Sequence, residues 1–584
     1  MKEDKIDITD SQHPLSYSKT MGAYQEARSE RTDWEADWRL VSDYLLPGRG
    51  IYTTYAKPRK RQLTNKKVIN TTGEDSLYVL TSGMHSGLTS PSRPWFQLDW
   101  SDDNLKEFEP LKAWLQGCQK RLHAALHASN FYSIINSFYI EYAGFGTGSM
   151  YVGEDTGTDQ TPFRFELLTA GEYAFATGAH GKAEVFFRTI IKTARQVVEL
   201  YPNTASEYLK EIVKENKAGA DVSNAILVQY VVRTGKGRMP FKAVTYEVSA
   251  GGSSTSQQNK SVEPKIPLEE RGFYEFPYPV ARWGTIGSDV YGIGPGSRAL
   301  PHIRRLQEME KAFLMATHKT IAPPLNVPSR MRGKTNTMPG GLNYQANPND
   351  VITPVLQMRF DFQGVSAAIE RVEQRIQRNF FNDIFLTASR DPNASPLKAT
   401  QVNVQEQEKM LRLGPVIERL QHEFLQPVLE RCFNIMLRKD KFEPLSPELA
   451  EMAGEFKVSM ISPLATAQRG VALQGINTFM GAVGQYAQFD QRVLDNVDPD
   501  KVVREIGDIS GVDIGILRPM KDVEALRKQR AQQQAAEKKA QQQAEVAQMQ
   551  SGVDGQDATT RKTAAEAGQI NMETQKIADD MGLM

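Results

Sequence analysis

The sequence predicts an α+β protein made of more than one structural unit, and three observations carry that prediction. At 584 residues the chain is longer than a single hydrophobic core usually grows. Between Met150 and Arg282 the apolar residues gather in short β-type runs separated by Gly-rich or polar turns. On both sides of that block they recur at helical spacing.

The first predicted element is an amphipathic helix from about Ser18 to Leu46, stopped by Pro47-Gly48. A second helix follows from Leu111 to Leu126, with Leu111, Trp114, Leu115, Cys118, Leu122, Ala125 and Leu126 on one face. The β-rich block contains runs at Phe163 to Leu167, Ala183 to Arg188, Ile226 to Val232 and Phe241 to Val248. Within it, Gly251 to Gln257 has the composition of a flexible surface loop. After Pro295-Gly296 the pattern predicts a helix from Ser297 to Thr320, a Pro/Gly-punctuated insert from Ala322 to Asp361, and a helix from Val365 to Leu386. This last helix gathers Val365, Ala368, Ile369, Val372, Ile376 and Phe380 on one face and leaves Arg371, Glu373, Gln374, Arg375 and Arg378 elsewhere on its surface. Thr387 to Pro396 is polar and turn-rich. A further helical stretch runs from Lys398 to about Leu437, with kinks expected near Gly414-Pro415 and at Pro427. Beyond Pro519, residues Lys521 to Gln550 are rich in Ala, Gln, Glu and Lys, a composition that favours helix but has little to bury by itself.

Composition narrows the function. Lys plus Arg equals Asp plus Glu at 70 each, so no global positive field draws the chain onto phosphate or anionic lipid. Any DNA contact must be local or weak. Hydrophobic residues make up 40%, enough to build a core, but no uninterrupted apolar run is long enough to span a bilayer, so no membrane partner is expected. The charged start, Met1 to Lys5, does not have the form of a secretory signal. Cys118 and Cys432 are far apart on apolar helical faces and read as small buried hydrophobes; they form neither a disulfide framework nor a zinc cluster, which fits a reducing cytosol.

Tests for catalytic chemistry fail one by one. Gly333-Lys334-Thr335 mimics the end of a nucleotide-binding loop, but the first glycine of that motif is replaced by Pro328. The runs Gly144-Phe145-Gly146-Thr147-Gly148 and Gly292-Ile293-Gly294-Pro295-Gly296 lack dinucleotide-loop spacing and read as sharp turns. Gly83-Met84-His85-Ser86-Gly87 sets its serine one place too late for a nucleophile elbow. His123 and His127 share a helix face without a nearby acid to complete a metal site. Asp498-Pro499-Asp500 reads as a turn or helix start. The expectation is a protein with no enzymatic activity, no cofactor and no metal.

The stretch Ser82 to Phe96 (SGMHSGLTSPSRPWF) reads physically as a helix end at Gly87, a turn through Pro91 and Pro94, and a strand start anchored by Trp95, Phe96 and Trp100. It closely resembles the signature of the podovirus, or short-tailed bacteriophage, head-to-tail connector (portal) family. Further matches follow in the same order: Tyr142 to Val152, Val290 to Leu300, Pro323-Pro324 and Leu413-Gly414-Pro415. The resemblance covers roughly Glu26 to Arg530.

That resemblance implies a portal fold: a β-rich wing over residues 1–296, stem helices over 297–320 and 365–386 with a clip at 321–364 between them, and a tunnel loop at 387–397. A kinked helix returning to the wing would occupy 398–461, a helical crown 462–519, and a helical barrel or disordered tail 520–584. It implies a homododecameric ring at one capsid vertex of the virion, assembled in the host cytoplasm, with double-stranded DNA passing through its channel. The implied partners are the terminase large subunit, tail adaptor or nozzle proteins, and the major capsid and scaffolding proteins. Arg298, Arg305, Lys311, Arg390 and Lys398 become channel candidates for DNA, with solvated faces or intersubunit ion pairs as the plainer reading of each. Arg330, Arg332 and Lys334 become candidates for motor or adaptor contact. The basic run Lys57 to Arg61 with Lys66-Lys67 reads as an exposed loop or a contact to capsid protein rather than a nucleic-acid patch. The rival reading is a tail adaptor or internal scaffold protein that binds the portal.

Overall fold

The computed structural model describes residues 15–50, 67–92, 94–102, 108–155, 161–178, 181–215, 224–234, 239–250, 266–333, 335–336, 338, 340–344, 347–349, 351–355, 361–385, 412–445, 447, 456–460, 463–489, 491–510 and 520–580. The chain divides into two compact units. The first is Met1–Val497 with Ile509–Gly511, and the second is Asp498–Asp508 with Val512–Met584.

In the first unit, helix α1 (Tyr17–Tyr44) serves two cores. Its early turns lay Tyr24 and Ala27 against the sheet residues Phe187, Tyr230, Val244 and Tyr246, and its later turns send Trp38 and Val41 into the main core. Between them lies buried Arg31, whose guanidinium pairs with Glu35 at 2.9 Å and donates to the carbonyls of Gly171 and Tyr173 at 3.0 and 2.8 Å. A buried charge persists only when its hydrogen bonds are met in this way.

Helix α2 (Thr72–Leu88) ends one residue past Gly87, and strand β1 (Phe96–Trp100) follows the Pro-containing turn. Trp95, Phe96 and Trp100 are all buried, and Trp95 Nε1 donates to Tyr132 Oη at 3.0 Å. Helices α3 (Glu109–Ala128) and α4 (Phe131–Phe145) then lead into strands β2 (Thr147–Glu154), β3 (Phe163–Leu168), β4 (Tyr173–Thr177) and β5 (Ala183–Thr193). Two short helices, α5 (Ala194–Leu200) and α6 (Glu207–Lys214), interrupt the block that the sequence pattern presents as strands only. They form a small core of Val197, Leu209 and Ile212 against Leu227 and Leu268. The signal for α5 is a capping box between Thr193 and Gln196.

Strands β6 (Asn224–Arg233), β7 (Phe241–Ala250), β8 (Glu269–Phe273) and β9 (Val280–Arg282) complete two antiparallel sheets, ordered β4-β5-β6-β7-β8 and β3-β2-β9. All four predicted β runs fall in this block, each as a longer strand than its apolar core suggested.

The long helix α7 (Pro295–Ile321) and helix α8 (Phe362–Asn379) pack as a pair. Between them lies an insert with strands β10 (Leu325–Asn326) and β11 (Thr353–Pro354), which pair antiparallel. The second helix is shorter than its apolar pattern. It stops at Asn379, and a separate turn of helix, α9 (Asn382–Phe385), follows after Phe381, whose φ is +55°.

Helix α10 (Gly414–Leu420), a π-helical turn (Gln421–Leu425) and helix α11 (Gln426–Arg438) run on continuously. Gly414-Pro415 opens this helix, since proline is accepted in the first helical turn, where no N–H is needed, and the stretch expected before it, 398–411, lies outside the described residues. The irregularity expected at Pro427 is real and takes the form of the wide turn just before it. Proline cannot donate to the carbonyl four residues back, and the turn relaxes around that missing bond. It carries Glu423, which accepts from the Arg282 backbone N–H at 3.0 Å and from its guanidinium at 2.6 Å. Strand β12 (Phe456–Met460) returns to pair antiparallel with β1, closing the unit across most of its length, and helix α12 (Pro463–Ala487) follows.

The second unit is helical: α13 (Pro499–Ser510) and the 61-residue α14 (Met520–Asp580). Asp498 is the helix start that the sequence suggested, with Oδ1 accepting from the backbone N–H of Asp500 and Lys501 at 3.0 and 3.3 Å. Arg527 holds Asp500 in a two-pronged ion pair at 2.6 and 2.8 Å, which keeps that carboxyl below its usual range.

Candidate functional site on the paired helices

The start of α7 is seated by glycine. Gly146 ends α4 with φ +84°, a conformation that side chains rarely adopt, and a Cβ there would overlap the Gly292 carbonyl. Gly292, Gly294 and Gly296 in turn face the backbone of residues 143–146 with no room for a side chain. The two Gly-rich runs are therefore one feature. They are the two sides of a backbone-to-backbone contact, tied by Trp283 N–H to the Gly146 carbonyl at 2.8 Å and Gly292 N–H to Thr147 Oγ1 at 2.8 Å.

Further along, Asn70 joins three helices. Its Oδ1 accepts from Thr72 N–H at 2.8 Å at the head of α2, and its Nδ2 donates to Glu310 on α7 at 3.0 Å and to Glu373 on α8 at 2.9 Å. Gln307 on α7, buried, completes the joint: its Oε1 accepts from the backbone of Ile69 and Asn70, and its Nε2 donates to the Asn70 carbonyl at 2.8 Å. Below the joint, Ile303 and Leu306 on α7 and Ile369, Val372 and Ile376 on α8 are buried in the main core.

This packing decides which charges face outward. The pair carries a formal surplus of four positive charges: α7 has five basic and two acidic residues, and α8 has three and two. Two of the four acids, Glu310 and Glu373, are engaged at Asn70. Arg298, Arg304, Arg305, Lys311 and Lys319 on α7 are exposed, as are Arg371, Arg375 and Arg378 on α8. Arg298 and Arg305 are two turns apart and share a side of the helix, whereas Lys311 lies roughly a third of a turn round, in line with Arg304. Arg304 also sits over the Tyr44 ring at 5.9 Å, as does Lys67, which pairs with Asp43 at 2.7 Å.

Arg371, Arg375 and Arg378 fall at i, i+4 and i+7, opposite the buried face, and make no ion pair with a carboxylate among the described residues. Their spacing was visible in the sequence. What the sequence lacked was the direction of the helix, because Glu370 precedes them and Glu373 sits between them, masking the stripe until Glu373 is seen to turn to Asn70.

The other candidates are less defined. Arg332 is exposed in the insert, and Arg330 lies in a turn (Ser329–Met331), its side chain outside the described residues. Lys334, Arg390 and Lys398, the whole 387–397 segment and the basic run Lys57 to Arg61 also lie outside the described residues. His123 is stacked on Phe96 at 4.0 Å and His127 lies against Tyr132 at 4.8 Å, as side chains used for packing. Among the described residues no three His, Cys, Asp or Glu side chains are grouped to hold a metal, and no helix is long and apolar enough to cross a membrane. Cys118 and Cys432 are free and buried; burial pushes the Cys118 thiol up to about 12 and the Cys432 thiol higher still.

A long helical pair with an insert, joined to a β-rich body, is the architecture of the described residues. The chain belongs to the bacteriophage head to tail connecting protein family, which matches residues 18–517. It is 32% identical over 578 residues to the probable portal protein of Bordetella phage BPP-1, covering 96% of this chain and 97% of that one. It is 30% identical over 523 residues to the portal protein of Salmonella phage epsilon15, covering 88% and 90%. Among solved structures it is similar, at 10% identity and a TM-score of 0.36, to a chain in the neck of an empty gene transfer agent particle, over 74% of this chain and 91% of that one.

Proposed function

We propose that this head-to-tail connector acts as a portal: a ring, twelve-fold in the virion, that seals one capsid vertex and conducts double-stranded DNA during packaging and ejection. The observation that carries the reading is the sorting of charge on α7 and α8, with two of the pair's four acids engaged at Asn70 and the arginines turned outward. A channel must guide phosphate without gripping it, because each neutralised phosphate adds salt-dependent affinity that slows sliding. A neutral chain with a few outward arginines, multiplied by ring symmetry, meets that requirement.

In this reading residues 1–296 form the wing, α7 and α8 the stem, the insert between them the clip, residues 387–397 the tunnel loop, 398–461 the return to the wing, and 462–519 the crown. The 520–584 segment forms a helical barrel from side-by-side copies. Arg298, Arg305, Lys311, Arg371, Arg375 and Arg378, with Arg390 and Lys398, are the channel candidates. Arg330, Arg332 and Lys334 offer a basic contact in turn to the terminase large subunit and to tail adaptor or nozzle proteins, and the wing meets the major capsid and scaffolding proteins. The role requires no catalytic step, cofactor or membrane. Its place is the virion, after assembly in the host cytoplasm.

Native mass spectrometry with negative-stain averaging tests the assembly. A closed ring of about twelve copies with a central hole is expected; a persistent monomer or dimer would shift the reading to a tail adaptor or internal scaffold. The channel face is tested on the ring by exchanging Arg371, Arg375 and Arg378 for Gln. Duplex DNA binding should weaken, and its salt slope should fall by roughly 0.9 for each phosphate that the ring no longer neutralises. An unchanged slope removes these arginines from the channel.

A further inference from the structure

The apolar pattern of α8 continues past its observed end, yet the helix breaks at Phe380 and Phe381. Phe381 holds φ +55°, a conformation that glycine or asparagine adopts readily and in which a bulky residue is strained. Strain of this kind survives only where surrounding contacts outweigh it. Here those contacts come from the short helix that follows. Asn382 is buried, and with its amide oriented as its neighbours require it donates to the Ser76 carbonyl on α2 at 2.9 Å and to the Phe380 carbonyl at 3.2 Å. Phe385 packs against Gly83 of α2, so closely that a Cβ at Gly83 would clash with its ring. Phe381 itself faces Trp283 across 6.4 Å.

We infer that residues 380–385 are a two-state hinge: a latch of Asn382 on Ser76 and Phe385 on Gly83 holds Phe381 bent, and release of the latch lets α8 and α9 join as one helix. The physical warrant is a conflict between levels. Local pattern and backbone strain both favour continuation of the helix, and the docking of the short helix opposes it, through Asn382 and Phe385 on α2, Ile384 in the main core and Asp383 paired with Arg412 at 2.8 Å. Two packings of one segment, one favoured by its local pattern and the other by the docking of its side chains, are what a bistable element requires. The inference concerns the chain's own backbone and stands whether or not the portal reading does. It also explains why Gly83, within the Ser82 to Phe96 motif, has no side chain, since the Phe385 ring occupies that space.

Hydrogen exchange on the full-length protein tests it, read at the amides of Phe381 to Phe385. Phe385→Ala and Asn382→Ala each weaken the latch while leaving a good helix sequence behind. The expected result is that these amides stay protected or gain protection, as they would in a continuous helix, while amides of α2 next to Ser76 and Gly83 become less protected. Melting of residues 381–385 into fast exchange would overturn the inference, because the bend would then be a simple packed turn. Phe381→Gly gives the second arm, since glycine relieves the strain and also disfavours the straight helix. It should slow exchange at these amides roughly five- to tenfold. Unchanged or faster exchange in that variant would show that no strain is held there, and this arm decides the matter if the latch variants fail to fold.

Discussion

His123 shows how a single side chain carries a measurable consequence of its packing. Its imidazole lies nearly parallel to the Phe96 ring, and its Nε2 is buried with no hydrogen-bond partner among the described residues. Burial, with a smaller push from His127, lowers its pKa from the ordinary 6.5 to about 4. In the unfolded chain the ring takes up a proton near 6.5, so between about pH 6.5 and 4 the unfolded state binds more protons than the folded one. Stability is therefore complete above that window and is lost as the pH falls through it. His123→Phe keeps a stacked ring and removes the titration. Thermal melts across pH 7 to 4 should show a smaller acid loss in this variant than in the parent, and equal losses would place the acid sensitivity elsewhere. Buried Glu141 shifts in the opposite sense: burial raises its pKa, and Arg49 at 3.2 Å with the hydrogen bonds of Thr169 and Ala170 pulls it back down. Its raised value works against the folded state as the pH climbs through the carboxyl range, so it does not share in the acid loss expected from His123.

Among elements, the α7–α8 pair depends on Asn70 more than its place in the sequence suggests. Without that amide Glu310 and Glu373 lose their common donor and face one another as like charges. Asn70→Ala should cost about 2–3 kcal/mol in denaturant unfolding, because its hydrogen bonds to charged and buried groups are removed. Asn70→Asp should cost more, because it sets a third carboxylate beside the other two. A change below about 0.5 kcal/mol would mean that apolar packing alone holds the two helices together. No sequence pattern marks Asn70 as the tie between α7 and α8, since its two acidic partners lie more than two hundred residues away. The same limit explains the overlong expectation for the second helix. Periodicity sees Phe380 as one more core residue, but Ser76 and Gly83 on a distant helix decide where the chain turns. Elements whose signals are local were legible: the Pro47-Gly48 stop, the turn after Gly87, the Asp498 helix start and the alternating strands all appear close to where the pattern puts them.

Across the whole molecule, charge neutrality and a long polar tail belong together. Helix α14 is exposed along nearly all of its described length, and a helix polar on all sides gains little from its own chain. In the proposed ring its support comes from copies beside it. Truncation before Met520 should leave the ring count unchanged and remove the circular dichroism signal of the 61-residue helix. An undiminished total helix signal would mean that the segment is not helical in solution.

The sequence by itself determined the α+β class, the β-rich block flanked by helices, the helix-insert-helix plan and, through the Ser82 to Phe96 motif and its ordered companions, the connector family. The class, the block and the plan rest on periodicity, turn chemistry and composition, which act over a few residues, and the family rests on the resemblance of those motifs. Only the tertiary structure decided that the two Gly-rich runs are one contact, that Asn70 gathers the acids of the paired helices, that the α8 arginines share an outward stripe and that Phe381 is held bent. Each of these depends on which distant backbone or side chain arrives at a given place, and that is settled by the packing of the whole core.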